Sequence, residues 1–587
     1  MPAAMPVRRC LLAFALCVPA VALHAEQPPL TATTAATGLP RTPEQLATTI
    51  ELADLAFKVD PARKWLDADA HLTLRLARPL QALVVDLDRN YTVSAVEVDG
   101  RPMRWSNPEG RMRIALESPL PAGARPVLHI RYAGHPHEAK KAPWDGGIVW
   151  ATAPTGEPWV ATAVQGEGCD LLWPCIDHPL AKPERVVQHI TVPSPLVAAS
   201  NGVQTGMEEK DGWRTYHWRA RQPATYAIAL NIGPYELLQA DYKSRYGNTI
   251  PLRFWYLKGR RAQAEGLFAQ FAPMLQFFEE MIGPYPFGDE KMGVVETPHL
   301  GMEHQTINAY GNDYRKAETG YDWLLQHEFA HEWFGNQLTN TDWDDFWLHE
   351  GFATYMQPLY LQWLRGDMEY DAALMKMRSV LMLKHPVVAG HPMLEKDVSD
   401  ASRGPGNDVY YKGALMLHTL RGLIGDDAFF RSIRELVYGS DAPRPGQFRP
   451  RQASTDDFVA IVNRVTGRDY RWFFDAYLRT VQLPALLAER DGGTLRLRWQ
   501  VEGGRPFPMP VQVRIGRRVV EVPMTGGQGA VAIAADESYT LDPHSKVLRD
   551  LPYMAEFQQD QAERARAVAE AAKAAKAAMG SAATETR

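Results

Sequence analysis

The spacing of apolar residues changes twice along the chain, and these changes limit the folds it can adopt. From about residue 45 to 238, segments such as HLTLRLA and PVLHIRYAG alternate apolar and polar side chains between turn residues, which indicates strands. From 239 to 483, segments such as GLFAQFAPMLQFFEEMIG repeat at three and four residues, which indicates amphipathic helices. Short alternating segments return at 484–548. The predicted fold class is therefore multidomain α+β, with a largely helical domain between an all-β domain and a small β domain.

The two ends of the chain differ in composition from these domains. Residues 1–25 place Arg8 and Arg9 before a short apolar run and small residues, which predicts a signal peptide and an exported, periplasmic or secreted protein. A membrane anchor is the alternative, although the run is short for a bilayer. Residues 26–44 are rich in Pro, Thr and Ala and predict a flexible leader, and the Ala-rich residues 549–587 predict an exposed helical tail.

Charge and cysteine content narrow the functional classes. The net charge is -6 at pH 7, and no cluster of basic and aromatic residues opposes it, so nucleic acid is not an expected partner. After removal of the signal, no stretch is long and apolar enough to predict a transmembrane span. Cys169 and Cys175 either pair in an oxidising compartment or remain as two buried thiols, and the sequence leaves both open.

The segment HEFAHEWFGN carries the strongest chemical signal. Its His327 and His331 lie one helical turn apart and share a face, as two ligands of a tetrahedral zinc ion would. Glu328 lies beside that face, where it can accept a proton from water. Glu350, in WLHEGFATY, is the candidate third ligand. Asp345 either orients a ligand histidine or is a solvated loop acid.

Five segments, in this order along the chain, resemble motifs of the gluzincin zinc aminopeptidases, the family of aminopeptidase N and leukotriene hydrolase. They are VQGEGCDLLWPCIDHP, LGMEHQTINAYG, HEFAHEWFGNQLT, DDFWLHEGFATY and VYYKGALML, and the resemblance covers about residues 45–548. It implies a saddle-like β domain, a thermolysin-like catalytic domain, a small C-terminal β-sandwich and a helical tail. It also implies one Zn²⁺ per chain and the removal of single N-terminal residues from peptides with a free N-terminus.

The resemblance assigns roles to individual residues. Glu303 matches the glutamate that binds the substrate α-amino group, and Glu167 matches a second amino-binding position. Gly301 matches a position that contacts the substrate backbone. Tyr410 matches the tyrosine whose hydroxyl stabilises the oxyanion. Glu328 matches the general base.

Several positions depart from the family pattern without removing a ligand, the base or the tyrosine. His304 and His349 replace asparagines, Glu332 replaces a glutamine, and Tyr411 replaces a glutamate. A histidine can titrate near neutral pH, so the effect of these departures on the pH profile and the substrate preference does not follow from the sequence. Larger relatives carry a long C-terminal helical domain over the active site. Only about 100 residues follow the catalytic domain here, which predicts a more open site or one covered by a partner chain. The oligomeric state is not predicted.

Three other functions share parts of this pattern. An endopeptidase would use the same zinc site without needing Glu303 and Glu167, and would cleave N-blocked peptides. An epoxide hydrolase of the leukotriene type uses the same zinc fold. A binding module without activity would be expected to lack Glu328 or a zinc ligand, and all of these are present. The preferred N-terminal residue and the physiological substrate do not follow from the sequence.

Overall fold

The computed structural model describes residues 27–315 and 319–584. The predicted signal peptide, residues 1–25, lies outside the described residues. Within the part of the chain that the structure describes, every helix is too short or too polar to cross a membrane.

The N-terminal unit consists mainly of strands. Its elements, with two 3₁₀ turns at Cys169–Leu171 and Thr225–Ala227, are α1 (Pro43–Leu46), β1 (Thr48–Asp60), β2 (Trp65–Leu76), β3 (Leu80–Asp86), β4 (Thr92–Val98), β5 (Arg101–Pro102), β6 (Arg104–Ser106), β7 (Arg111–Leu120), β8 (Val127–Gly134), β9 (Gly147–Thr152), β10 (Pro158–Ala163), β11 (Arg185–Pro193), β12 (Val197–Ala199), β13 (Val203–Lys210), β14 (Trp213–Arg221) and β15 (Asn231–Gly233).

These strands form an eight-stranded sheet with two smaller sheets. The large sheet has the order β13-β14-β11-β1-β2-β8-β4-β5, and the smaller sheets have the orders β12-β15-β10-β9 and β3-β7-β6. In the large sheet β1 and β11 run parallel, and the other neighbours are antiparallel. Side chains alternate as a half-buried sheet requires: Phe57 is buried in the core, whereas the next residue, Lys58, is exposed on the outer face.

The catalytic unit follows, with helices packed against a mixed sheet. Its elements, with two 3₁₀ turns at Trp343–Asp345 and Gly406–Val409, are β16 (Tyr235–Lys243), β17 (Thr249–Leu257), α2 (Arg261–Phe268), α3 (Phe271–Met281), β18 (Met292–Glu296), β19 (Gly301–Met302), β20 (Asn308–Tyr310), α4 (Trp323–His331), β21 (Leu338–Asn340), α5 (Trp347–Arg365), α6 (Asp367–Arg378), α7 (Glu395–Ser399), α8 (Tyr411–Ile424), α9 (Asp426–Tyr438), β22 (Arg451–Ala453), α10 (Thr455–Thr466) and α11 (Arg471–Leu478).

The start of the catalytic unit differs from the boundary predicted between residues 238 and 239. That boundary falls inside β16, which pairs with β17 along its whole length. Both strands belong to the five-stranded sheet β16-β17-β18-β20-β19 rather than to the sheets before them. Alternating side chains on β16 and β17 resemble those of the preceding strands, so periodicity alone placed the boundary too late.

The leader is folded against both units, so the predicted flexibility of residues 26–44 is wrong for the described part. Thr34 has no exposed surface. The amide of Thr37 donates to the carbonyl of Gly166 in the N-terminal unit at 3.2 Å, and the carbonyl of Thr37 accepts from the amide of Glu395 in the catalytic unit at 3.4 Å. The leader has a composition typical of linkers, but backbone hydrogen bonds hold it in place. Composition alone does not predict these bonds.

The C-terminal region contains two small sheets and a final helix. The sheets have the orders β23-β24-β27 and β26-β25-β28, and the amide of Asp550 donates to the carbonyl of Pro484, which ties the end of this unit to its start. The predicted fold class, a multidomain α+β protein with a β-rich N-terminal domain and a helical catalytic domain, is confirmed. The elements, with a 3₁₀ turn at Glu502–Gly504, are β23 (Ala485–Asp491), β24 (Thr494–Gln500), β25 (Val511–Ile515), β26 (Arg518–Val522), β27 (Gln528–Ala532), β28 (Tyr539–Leu541) and α12 (Tyr553–Thr584).

Candidate active site

Helix α4 carries both histidines of the HEFAH segment. Its N-cap is Asp322, whose Oδ1 accepts a 3.0 Å hydrogen bond from the amide of Leu325. The hydroxyl of Tyr310, on β20, donates to the other oxygen of Asp322 at 2.7 Å, so the helix start is fixed to the sheet. At the other end of the helix, Nδ1 of His331 lies 2.8 Å from the carbonyl oxygen of Phe334. A carbonyl only accepts, so this nitrogen carries the hydrogen and Nε2 is left free as a ligand.

Helix α5 brings Glu350 to the histidines in its first turn. It packs closely on α8 because two glycines, Gly351 and Gly413, face each other, and a Cβ on Gly413 would come 3.0 Å from the Cα of Gly351. This close approach holds Tyr410, which precedes α8, beside the zinc-ligand candidates. Its ring centroid lies 6.2 Å from that of His327.

The three predicted ligands form an almost equilateral triangle. Nε2 of His327 lies 3.2 Å from Nε2 of His331, and Oε2 of Glu350 lies 3.3 Å and 3.4 Å from these two nitrogens. A tetrahedral ion with bonds of about 2.0–2.1 Å separates its ligands by about 3.3–3.4 Å, so the triangle has the dimensions of a zinc site. Although burial opposes a positive charge, Glu350 and nearby carboxylates raise the pKa of His331 to about 10, so the site favours a cation.

Glu328 is held beside the triangle by the close approach of Gly301. A Cβ on Gly301 would overlap the Glu328 carboxylate, so a larger residue in β19 would displace it. Carboxylate oxygens of Glu328 and Glu303 and a ring nitrogen of His331 all lie within 4.8 Å of one another. Burial raises the pKa of Glu328 well above its usual value. A divalent cation bound by the neighbouring ligands would lower this pKa.

Glu303 is fixed by two donors from the N-terminal unit. Gln165 Nε2 and the hydroxyl of Tyr226 donate to its Oε1 at 2.5 Å and 2.6 Å. Because both donors bind Oε1, the other oxygen, Oε2, is available to a ligand. A carboxylate held in this way is suited to bind an ammonium group.

Two further carboxylates line the same cavity. Glu167 packs against Gly146, and burial together with Asp145 raises its pKa to about 7. Glu395 accepts a 2.7 Å hydrogen bond from the hydroxyl of Ser399, and burial raises its pKa to about 7. The cavity therefore concentrates acidic groups around one end of the triangle.

The cavity has a volume of about 530 Å³ and is lined by every predicted site residue except Asp345. It also contains Gln165 and Glu395, which the sequence analysis did not select. Gln165 belongs to the VQGEG segment that carried the resemblance, so its proximity to Glu167 was the available signal. Glu395 comes from α7, where no motif marks it.

Asp345 does not orient a zinc ligand. Its Oδ1 accepts from the amide and the hydroxyl of Thr455 at 2.9 Å and 2.6 Å, at the start of α10. Trp347 donates to the same hydroxyl at 2.8 Å. Asp345 therefore joins α10 to the segment before α5. Neither role considered from the sequence, orienting a ligand histidine or lying solvated in a loop, describes it.

His304 and His349, whose effect the sequence leaves open, lie where burial opposes a titration near neutral pH. Both are fully buried, and burial lowers the pKa of each to about 3. Nε2 of His349 accepts a 3.1 Å hydrogen bond from the amide of Asn340, which requires the neutral ring. A sequence motif does not show whether an individual residue such as His304 or His349 is buried.

A two-histidine, one-glutamate site with an adjacent buried glutamate belongs to the class of zinc metallopeptidases. Residues 272–477 match the model of the peptidase family M1 domain. This part of the chain, which holds the triangle of ligand candidates, is therefore similar to the domain shared by the M1 family, to which the gluzincin aminopeptidases belong.

The relatives found include both activities named by the resemblance. Leukotriene A-4 hydrolase of Xenopus laevis is 26% identical over 320 residues, which cover 52% of this chain and 50% of that protein. Mitochondrial aminopeptidase 2 of Saccharomyces cerevisiae is 25% identical over 368 residues, which cover 58% of this chain and 36% of that protein. The chain thus matches half or less of the length of these curated relatives.

Solved structures also match over most of their own length. An M1 zinc metallopeptidase variant from Deinococcus radiodurans, bound to a Tyr-Ser-Ala substrate, is 27% identical with a TM-score of 0.64. The match covers 75% of this chain and 96% of that one. A crystal structure of the M1 zinc metallopeptidase from the same organism is 28% identical with a TM-score of 0.61, and the match covers 74% of this chain and 93% of the other.

Proposed function

We propose that this protein is a zinc-dependent aminopeptidase that removes single N-terminal residues from peptides, with one catalytic Zn²⁺ per chain. The observation that carries the proposal is the position of Glu303. A carboxylate oxygen of Glu303 lies within 4.8 Å of a carboxylate oxygen of Glu328 and of a ring nitrogen of His331. An ammonium group bound at Glu303 therefore leaves room for about one residue before the reacting carbonyl, since adjacent Cα atoms are about 3.8 Å apart.

The residues around the cavity divide the reaction between them. His327, His331 and Glu350 would hold the zinc ion, which supplies Lewis acidity towards water and the substrate carbonyl. Glu328 accepts the proton of the attacking water and passes it to the leaving amine. Tyr410 donates a hydrogen bond to the oxygen that gains negative charge, and burial keeps its hydroxyl protonated by raising its pKa. Glu303 and Glu167 hold the substrate ammonium.

A panel of aminoacyl fluorogenic amides, each with a free and an N-acetylated amino group, tests the specificity. Cleavage of only the free-amine set, lost with chelator and restored by zinc, is expected. Cleavage of the acetylated set would instead show an endopeptidase. Absence of cleavage in a zinc-loaded preparation would contradict the peptidase proposal, and lipid epoxides would then be the next substrates to test.

Glu328→Gln tests the general base. The amide keeps the size of the side chain but cannot accept a proton, so we expect a fall in kcat of about 10²- to 10⁴-fold with unchanged zinc content. Zinc content measured by elemental analysis separates loss of the base from loss of the metal. Near-normal turnover with bound zinc would exclude Glu328 as the base.

We also propose that the protein is exported, as the predicted signal peptide indicates. The structure joins Cys169 and Cys175 in a disulfide with a Cα–Cα distance of 6.3 Å, and disulfides are typical of oxidising compartments. Cell fractionation with N-terminal sequencing of the mature chain tests this. Recovery of an unprocessed chain from the cytoplasm alone would contradict it.

A further inference from the structure

A row of imidazoles and carboxylates crosses the outer face of the eight-stranded sheet, away from the cavity residues. In the strand pairing, His71 lies opposite Asp54 and opposite His129. The row continues on both sides because His129 also lies opposite Glu97, and His189 lies opposite His217. Residues opposite each other on adjacent strands bring their side chains into contact.

Three residues at the centre of the row place ligand atoms together. Oδ1 of Asp69 lies 2.8 Å from Nε2 of His129 and 3.1 Å from Nε2 of His71. The two rings stack with their centroids 4.2 Å apart and their planes 5° apart. Ligand atoms of all three residues lie within 4.8 Å of one another. Arg131 holds the other oxygen of Asp69 by two hydrogen bonds of 2.9 Å and 2.8 Å, which fixes the carboxylate.

His129 has a carboxylate at each ring nitrogen, and this makes the cluster unusual. Oε2 of Glu97 lies 3.4 Å from Nδ1, and Oδ1 of Asp69 lies 2.8 Å from Nε2. A neutral imidazole carries one N–H, so it can donate to only one of them. The second nitrogen then directs a lone pair at a carboxylate, unless the ring carries a second proton or a cation lies between the ligands.

The other pair of histidines in the row does not have this conflict. His217 Nδ1 lies 2.6 Å from His189 Nδ1, and His189 Nε2 lies 3.1 Å from Oδ1 of Asp54. Donation from His217 to His189, and from His189 to Asp54, satisfies both short contacts with neutral rings, and the carboxylate nearest the other nitrogen of His217, Oε1 of Glu208, lies 3.9 Å away, beyond hydrogen-bond distance. This second pair is therefore a matched control on the same surface.

We propose that Asp69, His71 and His129 form a second site for a divalent transition-metal ion such as Zn²⁺, independent of the proposed peptidase function. Imidazole and carboxylate are suitable ligands for such ions. Glu97 takes the role of the outer carboxylate that accepts from the other nitrogen of a metal-bound histidine, which fixes Nε2 as the ligand. The side chain of His71 is 50% exposed and that of His129 is 13% exposed. An ion bound between them would therefore be reached from solvent on the His71 side.

Equilibrium dialysis of the zinc-loaded mature chain against a fixed free Zn²⁺ concentration tests the site, with bound zinc counted by elemental analysis. The variants are the double substitution His71→Gln with His129→Gln, and the control His189→Gln with His217→Gln. We expect the wild type and the control to bind one ion more than the double variant. Activity of the double variant on the aminoacyl amides, and its circular dichroism, are expected to match the wild type.

Equal zinc counts in all three proteins would overturn the proposal and leave the cluster as an ion pair only. Loss of the extra ion in both double variants would also contradict it, because it would assign binding to the whole row rather than to this cluster. The count does not depend on peptidase activity, so an inactive but zinc-binding protein still decides the question.

Discussion

Gln165 donates a 2.5 Å hydrogen bond to Glu303 across the junction of the N-terminal and catalytic units. The donor lies just after β10 and the acceptor just after β19, 138 residues apart in sequence. The proposed amino-binding end of the cavity is therefore assembled from both units, and neither unit alone contains it. Docking of the two units is thus required to form the proposed substrate site.

Glu303→Gln is expected to raise KM for free-amine substrates about 10- to 100-fold. The substitution removes the charge that pairs with the substrate ammonium, and such charge-assisted hydrogen bonds contribute about 1.5–3 kcal/mol. Steady-state kinetics on one aminoacyl amide measures the effect. Tyr226→Phe is the graded control, because it removes one donor to Glu303 but keeps the carboxylate charge, and a smaller rise is expected.

An unchanged KM in Glu303→Gln, with zinc still bound, would remove this residue from the amino-binding site. A larger effect of Tyr226→Phe than of Glu303→Gln would show instead that the tyrosine hydroxyl contacts the substrate.

Substrate binding is expected to strengthen as pH rises through about 7. Burial and Asp145 raise the pKa of Glu167 to about 7, so at lower pH this carboxyl is neutral and does not attract an ammonium group. Above about pH 8 the substrate amine itself loses its proton. KM is therefore expected to be lowest between these values. In Glu167→Gln the acidic limb of the KM profile is expected to disappear, and its persistence there would assign the titration to another group.

The motif residues were predictable because their chemistry is local in sequence. Two histidines one turn apart and a glutamate beside them need only a helix, and α4 supplies it. The role of Asp345 was predicted wrongly and the effect of His304 and His349 was not predictable, because these depend on Thr455 and on burial, which are set by distant segments. The leader was wrong for the same reason: its hydrogen-bond partners lie far along the chain.

Tyr410→Phe is expected to lower kcat about 10²- to 10³-fold with little change in KM. A hydroxyl that donates to the developing oxyanion stabilises the transition state more than the bound substrate. Tyr411→Phe is the matched control, since this neighbouring tyrosine also lines the cavity. A change confined to KM in Tyr410→Phe, or an equal loss of kcat in both variants, would contradict the assignment.

Glu395 is expected to favour substrates with a basic N-terminal residue. Its carboxylate lines the cavity, and the nearest cation along the chain, Lys396, donates instead to the carbonyl of Ala35 in the leader at 3.1 Å. Within residues 27–315 and 319–584, no cation forms an ion pair with Glu395. A desolvated carboxylate in this state gains most from a positively charged ligand. Glu395→Gln should therefore lower kcat/KM for lysyl and arginyl amides about tenfold relative to the leucyl amide.

The control for this specificity is Asp400→Asn. Asp400 also lines the cavity, but it already accepts hydrogen bonds from Ser402 and Arg403. We expect this variant to keep the wild-type ratio of basic to apolar substrates. If Glu395→Gln lowers kcat/KM equally for all substrates, Glu395 acts on the common part of the substrate, its ammonium or backbone, and the preference for basic residues is excluded.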